Sequence, residues 1–176
     1  MNENYKIFSH RDKEPENSVL YVVGTPIGNL DDISIRAKNI LTKVSLIACE
    51  DTRNTRHLLN NLNISNDLIS FHKHNSYQRL NYLISKLTKG ASVALVSDAG
   101  MPSISDPGEV LIKEARKAKL DIICIPGPCA AINALVSSGL DTSKFTFYGF
   151  IPKSSNERKI VLKAISESEI SCIVYE

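Results

Sequence analysis

The chain has little of what marks a secreted, membrane-bound or metal-built protein. Its four cysteines, Cys49, Cys124, Cys129 and Cys172, form no CxxC pair, and three of them sit in apolar, strand-like runs. That scatter favours buried, reduced thiols over a disulfide framework or a zinc site. No apolar run approaches the roughly 20 residues a membrane-spanning helix needs, and residues 1–17 are too polar for a signal peptide. There is no HExxH motif. His72 and His74 alternate by two and so share one side of an extended segment, without the third and fourth ligands zinc requires. The expectation is a cytoplasmic protein with no membrane and no metal. A strong charge excess is also missing: a net charge of +2 permits an RNA partner without arguing for one.

What is present is a core and a beat. The 176 residues are 43% hydrophobic and 23% charged, as in an ordinary globular protein. After a polar tail expected over residues 1–17, apolar runs recur at 19–23, 44–49, 68–71, 92–96 and 122–125. Between them lie segments with helical spacing. Ile33, Ala37, Ile40 and Leu41 share a face behind the cap candidates Asp31 and Asp32, and Leu58, Leu59 and Leu62 do so behind Thr52. Tyr77, Leu80, Ile84 and Leu87 follow Asn75, and Val110, Leu111, Ala115 and Ala118 make a fourth stripe. Strands alternating with helices predict an α/β protein with a parallel sheet and right-handed crossovers. That domain is expected over 18–137. Over 138–176, "FTFYGF", a basic helical stretch and "SCIVYE" read as the beginning of a second α/β domain.

The unusual residues gather in one class of loop. "GTPIGN", "EDTR", "KHNS", "SDAGMPSISDPG" and "PGPCAA" each follow a predicted strand, and the C-terminal ends of strands are where open α/β sheets bind ligands. The first of these loops resembles a dinucleotide turn but has Pro26 where the middle glycine should be. Proline has no N–H to offer a phosphate. Glu50 stands where such a fold wants a ribose-binding acid, so a nicotinamide-dependent oxidoreductase remains an alternative. In the long fourth loop, Ala99 and Gly100 would let a ligand lie on the main chain, while Asp98 and Asp106 read equally as functional groups or as turn and cap residues. Cys129 has no evident base and reads as a packing or ligand contact rather than a nucleophile.

In their order, "VVGTPIGNLDDIS", "ACEDTRNTRHLL", "SFHKHN", "VALVSDAGMPSISDPG", "IPGPCAAINALVSSGL" and "FTFYGFIPK" resemble one branch of the tetrapyrrole-methylase superfamily, from about residue 20 to residue 176. That branch comprises bacterial 2′-O-methyltransferases acting on a cytidine of small-subunit (16S) ribosomal RNA. The resemblance implies a tetrapyrrole-methylase-like topology, a homodimer, a small-subunit RNA or 30S substrate, and S-adenosylmethionine as methyl donor in a cleft between two domains. A cofactor without phosphates also accounts for Pro26, which can pack against it as an apolar wall. The cofactor is expected along Pro26, Asp98, Ala99, Gly100, Ser103, Ile104, Ser105, Pro128, Cys129 and Ala130. Met101, Ser103 and Cys129 depart from the family's usual threonine, glycine and serine. Relatives also continue past residue 176, so the chain is expected to be truncated within its second domain, to bind cofactor weakly and to methylate poorly, or to act only as a non-catalytic RNA- or partner-binding fragment.

Methyl transfer to a ribose hydroxyl needs alignment, exclusion of water and a base as the proton leaves. Glu50, Asp51, Asp98 and His72 are the candidate bases, and Arg53 can stabilise an alkoxide or grip phosphate. Glu50, Asp98 and Arg53 are taken as the catalytic set. Arg53, Arg56 and Lys73 are expected to serve RNA, because the cofactor offers no phosphate to pair with.

Overall fold

Five short strands, all parallel, make the main sheet of the computed structural model, which describes residues 14–72, 75–106 and 108–176. They are β1 (Val19–Val23), β2 (Leu46–Cys49), β3 (Leu68–Ser70), β4 (Val93–Val96) and β5 (Asp121–Ile125), in the order β3-β2-β4-β1-β5. Register follows the apolar runs: Leu20 lies beside Val93 and Ile122, and Ile47 beside Ala94 and Leu68. The central strands are uninterrupted in apolar character because both faces are covered. Val19, Tyr21, Val23, Ile47, Cys49, Ala94 and Val96 face one core, and Leu20, Ala48, Val93 and Leu95 face the other.

Helices α1 (Ile35–Lys43) and α2 (Thr52–Asn61) cover the first face through Ala37, Ile40, Leu41 and Leu59. Helices α3 (Ser76–Thr88) and α4 (Glu109–Lys117) cover the second through Leu83, Leu87, Leu111 and Ala115. Beyond β5, α5 (Ala130–Ser138) leads to β6 (Phe145–Phe150), α6 (Ser155–Ser166) and β7 (Ser171–Tyr175). Strands β6 and β7 pair in parallel as a separate two-stranded sheet. Ala131 and Leu135 of α5 pack with Ile173 in a small third cluster.

Several expectations change. Asp31 and Asp32 do not cap α1; they form a 3-10 turn whose Asp31 N–H is accepted by the Asn29 side chain. Ser34 is the cap, its hydroxyl accepting from the Ala37 N–H. Asp51 rather than Thr52 caps α2, because its carboxylate accepts from the Arg53 N–H. Tyr77 and Val110 are exposed, with Leu83 and Ile112 meeting the core instead. Cys124 is not a buried thiol, since β5 is an edge strand and leaves it open. The end of the expected loose tail is anchored: Arg36 forks onto the Glu14 carboxylate and the Glu16 N–H donates to the Tyr21 hydroxyl. Residues 1–13, Lys73, His74 and Pro107 lie outside the described residues.

Candidate functional site

The site grows from the gap between β1 and β4. The chain leaves β1 towards β2 and leaves β4 towards β5, so the two connections pass each other there, as at a topological switch point. The loops lock where they meet. Thr25 and Gly100 exchange backbone hydrogen bonds of 3.0 and 3.1 Å, an isolated antiparallel bridge. The buried Thr25 hydroxyl donates to the Ser97 carbonyl, and the Ser97 hydroxyl reaches the Gly100 carbonyl at 3.3 Å. The loop after β5 closes against the same point. A methyl group on Gly24 would come within 2.8 Å of the Gly127 α-carbon, so the first loop's glycine serves loop-to-loop packing and not phosphate.

This bridge divides two recesses. Extended chain sends successive side chains to opposite sides. Pro26 and Asp98 accordingly face one recess, and Ile27 and Ala99 the other. The recess towards the second sheet has a volume of about 280 Å³. Its lining joins Ala99, Gly100, Ile104, Ser105, Cys129 and Ala130, six of the residues expected at the cofactor, with Ile27, Met101, Asp106, Phe150 and Tyr175. Phe150 and Tyr175, in edge-to-face contact at 5.5 Å, form its far wall. Gly149, in the left-handed region at φ +65°, lies where a methyl group would sit 3.0 Å from the Ser105 hydroxyl, so β6 is pressed onto the loop after β4. Ser103 and Ser105 adopt φ of +71° and +64°, left-handed backbone that non-glycine residues accept at some cost. Ser103, expected at the cofactor, is not in the lining; its hydroxyl is buried beside Gly108 without a hydrogen-bond partner. Pro128, expected at the cofactor, is not in the lining; its carbonyl lies 3.5 Å from the position a Gly100 side chain would take.

The other recess, about 320 Å³, opens between the first loop and α2. Pro26, Gly28, Leu30, Asn54, His57, Leu58, Asn61 and Asp98 line it. Both Asp98 carboxylate oxygens are engaged, one by the Asp51 N–H and the other by the Asn54 amide at 2.7 Å.

Charge around the rim is uneven. Burial first, then the neighbouring Asp106, Asp98 and Asp51, pushes the Glu50 carboxyl above its ordinary range, yet Glu50 lines neither recess. Burial likewise raises Asp106, the one charged side chain of the smaller recess among the described residues, against a lowering hydrogen bond from Ser97. Arg53 forks onto Asp51 at 2.7 and 3.2 Å, which holds that exposed carboxyl down at about 2. Arg56 donates to the Asn66 carbonyl. Among the described residues no three His, Cys, Asp or Glu side chains group as metal ligands, and no helix is long and apolar enough to cross a membrane.

The sequence reading missed Ile27, Phe150 and Tyr175, which reach the recess only through tertiary packing. It also missed Asn54 and Asn61. Their signal was available: positions 54, 57, 58 and 61 follow the i, i+3, i+4, i+7 spacing of one helix face.

The sequence model of the Tetrapyrrole (Corrin/Porphyrin) Methylases matches residues 19–176. A "Ribosomal RNA small subunit methyltransferase I" of Vibrio cholerae is 49% identical over 158 residues, covering 90% of this chain and 55% of that protein. The protein of that name from Escherichia coli O157:H7 is 45% identical over 167 residues, covering 95% of this chain and 58% of that one. The chain thus spans little more than half the length of these relatives. A crystal structure of diphthine synthase matches with a TM-score of 0.68 at 14% identity, covering 89% of this chain and 64% of that chain, and speaks for the fold alone. A family match running from β1 to the last residue, on a parallel sheet whose loops meet in this way, makes the chain a member of the tetrapyrrole (corrin/porphyrin) methylases.

Proposed function

We propose that this chain serves S-adenosylmethionine-dependent methylation of small-subunit ribosomal RNA at the 2′-hydroxyl of a cytidine ribose. The observation that carries the reading is the 280 Å³ recess, mostly apolar, whose lining among the described residues has a single carboxylate and no cation. Such a lining suits adenosine together with a positively charged sulfonium. The high identity to proteins named for ribosomal RNA methylation gives the reading its substrate class.

When bound, S-adenosylmethionine supplies an electrophilic methyl group. The chain's own residues do the rest. Gly100 leaves room for the ligand, since at φ +81° its missing side chain would have pointed towards Ile27 and the Pro128 carbonyl. In this reading Asp98, whose carboxylate is oriented by the Asp51 N–H and the Asn54 amide, accepts the proton of a ribose hydroxyl. Glu50 stands behind it and adds negative potential. Arg53 and Arg56, exposed on α2, meet RNA phosphates, and Lys73, outside the described residues, joins them in this reading by its charge alone. In this arrangement Arg53 is paired with Asp51 and stabilises no alkoxide unless that fork opens. The same reading puts the working protein in the cytoplasm as a homodimer, with the exposed Val136 and Leu140 near the end of α5 as candidates for cover.

The nicotinamide alternative loses its two supports. Thr25 spends its N–H on the Gly100 carbonyl, Pro26 has none, and Glu50 lines neither recess, so the first turn is short of pyrophosphate donors and has no ribose acid in the recesses beside it. Calorimetric titration with S-adenosylmethionine and with NADH tests the reading. Binding of the first and not the second is expected, with loss of binding in Gly100→Leu at unchanged circular dichroism. NADH binding, or full affinity in Gly100→Leu, overturns it.

A further inference from the structure

The 320 Å³ recess falls within the size range of small-ligand sites, about 300–1,000 Å³. We propose that it receives the nucleoside of the RNA that accepts the methyl group, an inference that rests on the function proposed above. Its position is the first argument: only the Thr25–Gly100 bridge separates it from the smaller recess, and Asp98 stands on its side of that wall. Its lining is the second. Pro26, Leu30 and Leu58 offer apolar surface against which a base lies flat, while Asn54, His57 and Asn61 offer both donors and acceptors to its edge. These three polar residues occupy one stripe of α2, so a rigid helix and not a loop presents them. Asn61 and His57 are already joined, amide nitrogen to imidazole Nδ1 at 2.7 Å, which orients both. The third argument is the flank. Arg53 and Arg56 lie one row round the same helix, exposed, where the phosphates on either side of an inserted nucleotide would pass. A base-reading recess bordered by cations on one helix is the arrangement a single-stranded RNA needs.

The recess differs from a phosphate contact in what salt does to it. The test uses a fluorescein-labelled ten-nucleotide RNA with one central cytidine, and the same RNA with an abasic site there, bound to the full chain over a salt series. Asn61→Leu and His57→Ala are expected to weaken binding of the cytidine RNA about tenfold at every salt concentration, as loss of a base contact does, with the salt slope unchanged. Arg56→Ala is expected to reduce that slope by about one. The abasic RNA is expected to bind the native chain about as weakly as the cytidine RNA binds the variants, and the variants are expected to lose nothing further on it. Equal affinity of native and variant chains for the cytidine RNA, a changed slope in Asn61→Leu, no cytidine preference, or no RNA binding by the native chain overturns the proposal. Calorimetry with S-adenosylmethionine runs beside it. Loss of cofactor affinity in Asn61→Leu would give the recess to the cofactor and overturn the assignment. RNA behaving as expected while the native chain binds no S-adenosylmethionine would overturn the proposed function and leave the nucleoside recess standing.

Discussion

The two sheets of this molecule bury their strands very differently. Every residue of β1 and of β4 is buried, with helices on both faces. In the β6–β7 pair only Gly149 and Ile173 are buried, and Phe145, Phe150 and Val174 are exposed. The first sheet is held by its own cores. The second leans on α5 through Ile173 and on the loop after β4 through Gly149. The cofactor recess lies where they meet, with one wall from a rigid body and the other from a lightly held pair. Affinity is therefore expected to depend on the weaker wall and stability on the stronger.

The sharpest way to break this contrast is truncation on each side. Leu95→Ala, fully buried in β4, is expected to cost about 2–5 kcal/mol by denaturant unfolding. Phe150→Ala, 61% exposed, is expected to leave the unfolding midpoint nearly unchanged while weakening S-adenosylmethionine binding in calorimetry. Equal stability losses would show that the second sheet is as tightly held as the first.

Next comes Gly24→Ala. The added methyl meets Gly127 backbone at 2.8 Å and the Met101 sulfur at 2.6 Å, so the loops must separate. A cost of about 1–3 kcal/mol is expected, with a fall in cofactor affinity larger than that of any exposed rim substitution. Ordinary affinity in this variant would show that the loops tolerate separation.

Smaller, and visible only in alkaline solution, is the effect of Cys49. Burial pushes its thiol from near 9 up to about 11, against a lowering hydrogen bond from Thr55. The unfolded chain gives up this proton first. The contribution is therefore whole below pH 9 and is lost as pH rises to about 11, on the order of 2 kcal/mol in all. Thermal midpoints should fall less steeply across that window in Cys49→Ala than in the native chain, and parallel curves would show that the site is wetter than it looks.

The smallest effect is that of Arg53→Ala. Its pairing with Asp51 lowers that carboxyl to about 2, so its stabilisation is present above the ordinary aspartate range and is lost as pH falls towards 2. Both groups are open to water, and screening leaves little of it. A thermal midpoint only marginally below the native one at neutral pH, with the two curves converging as pH falls towards 2, is expected.

Much of this was legible in the residues. The run at 19–23 coincides with β1, and the others locate their strands to within two residues, because burial on both faces forces continuous apolar stretches. Caps were less legible. Asp31, Asp32, Ser34, Asp51 and Thr52 are all plausible caps, and which one serves depends on where the chain turns onto the sheet. The stripes erred at Tyr77 and Val110 for a related reason: a helix's apolar face is wider than the part the sheet covers.

For the site, chain order alone determined that five odd loops would share one rim, since parallel strands joined by crossovers place all their C-terminal ends together. It also determined the small residues at 99, 100 and 130, because close approach demands them wherever it occurs. The division of that rim was decided only in three dimensions. Which loops touch depends on strand order, and β4 comes to lie beside β1 although paired positions, such as Leu20 and Val93, are 73 residues apart in the chain. That contact creates the Thr25–Gly100 bridge, sends Pro26 and Asp98 to one side and Ile27 and Ala99 to the other, and brings Phe150 and Tyr175 from the chain's end to close the recess. Local propensity carries no information about such pairings, because their energy comes from burial between segments that do not adjoin in the chain.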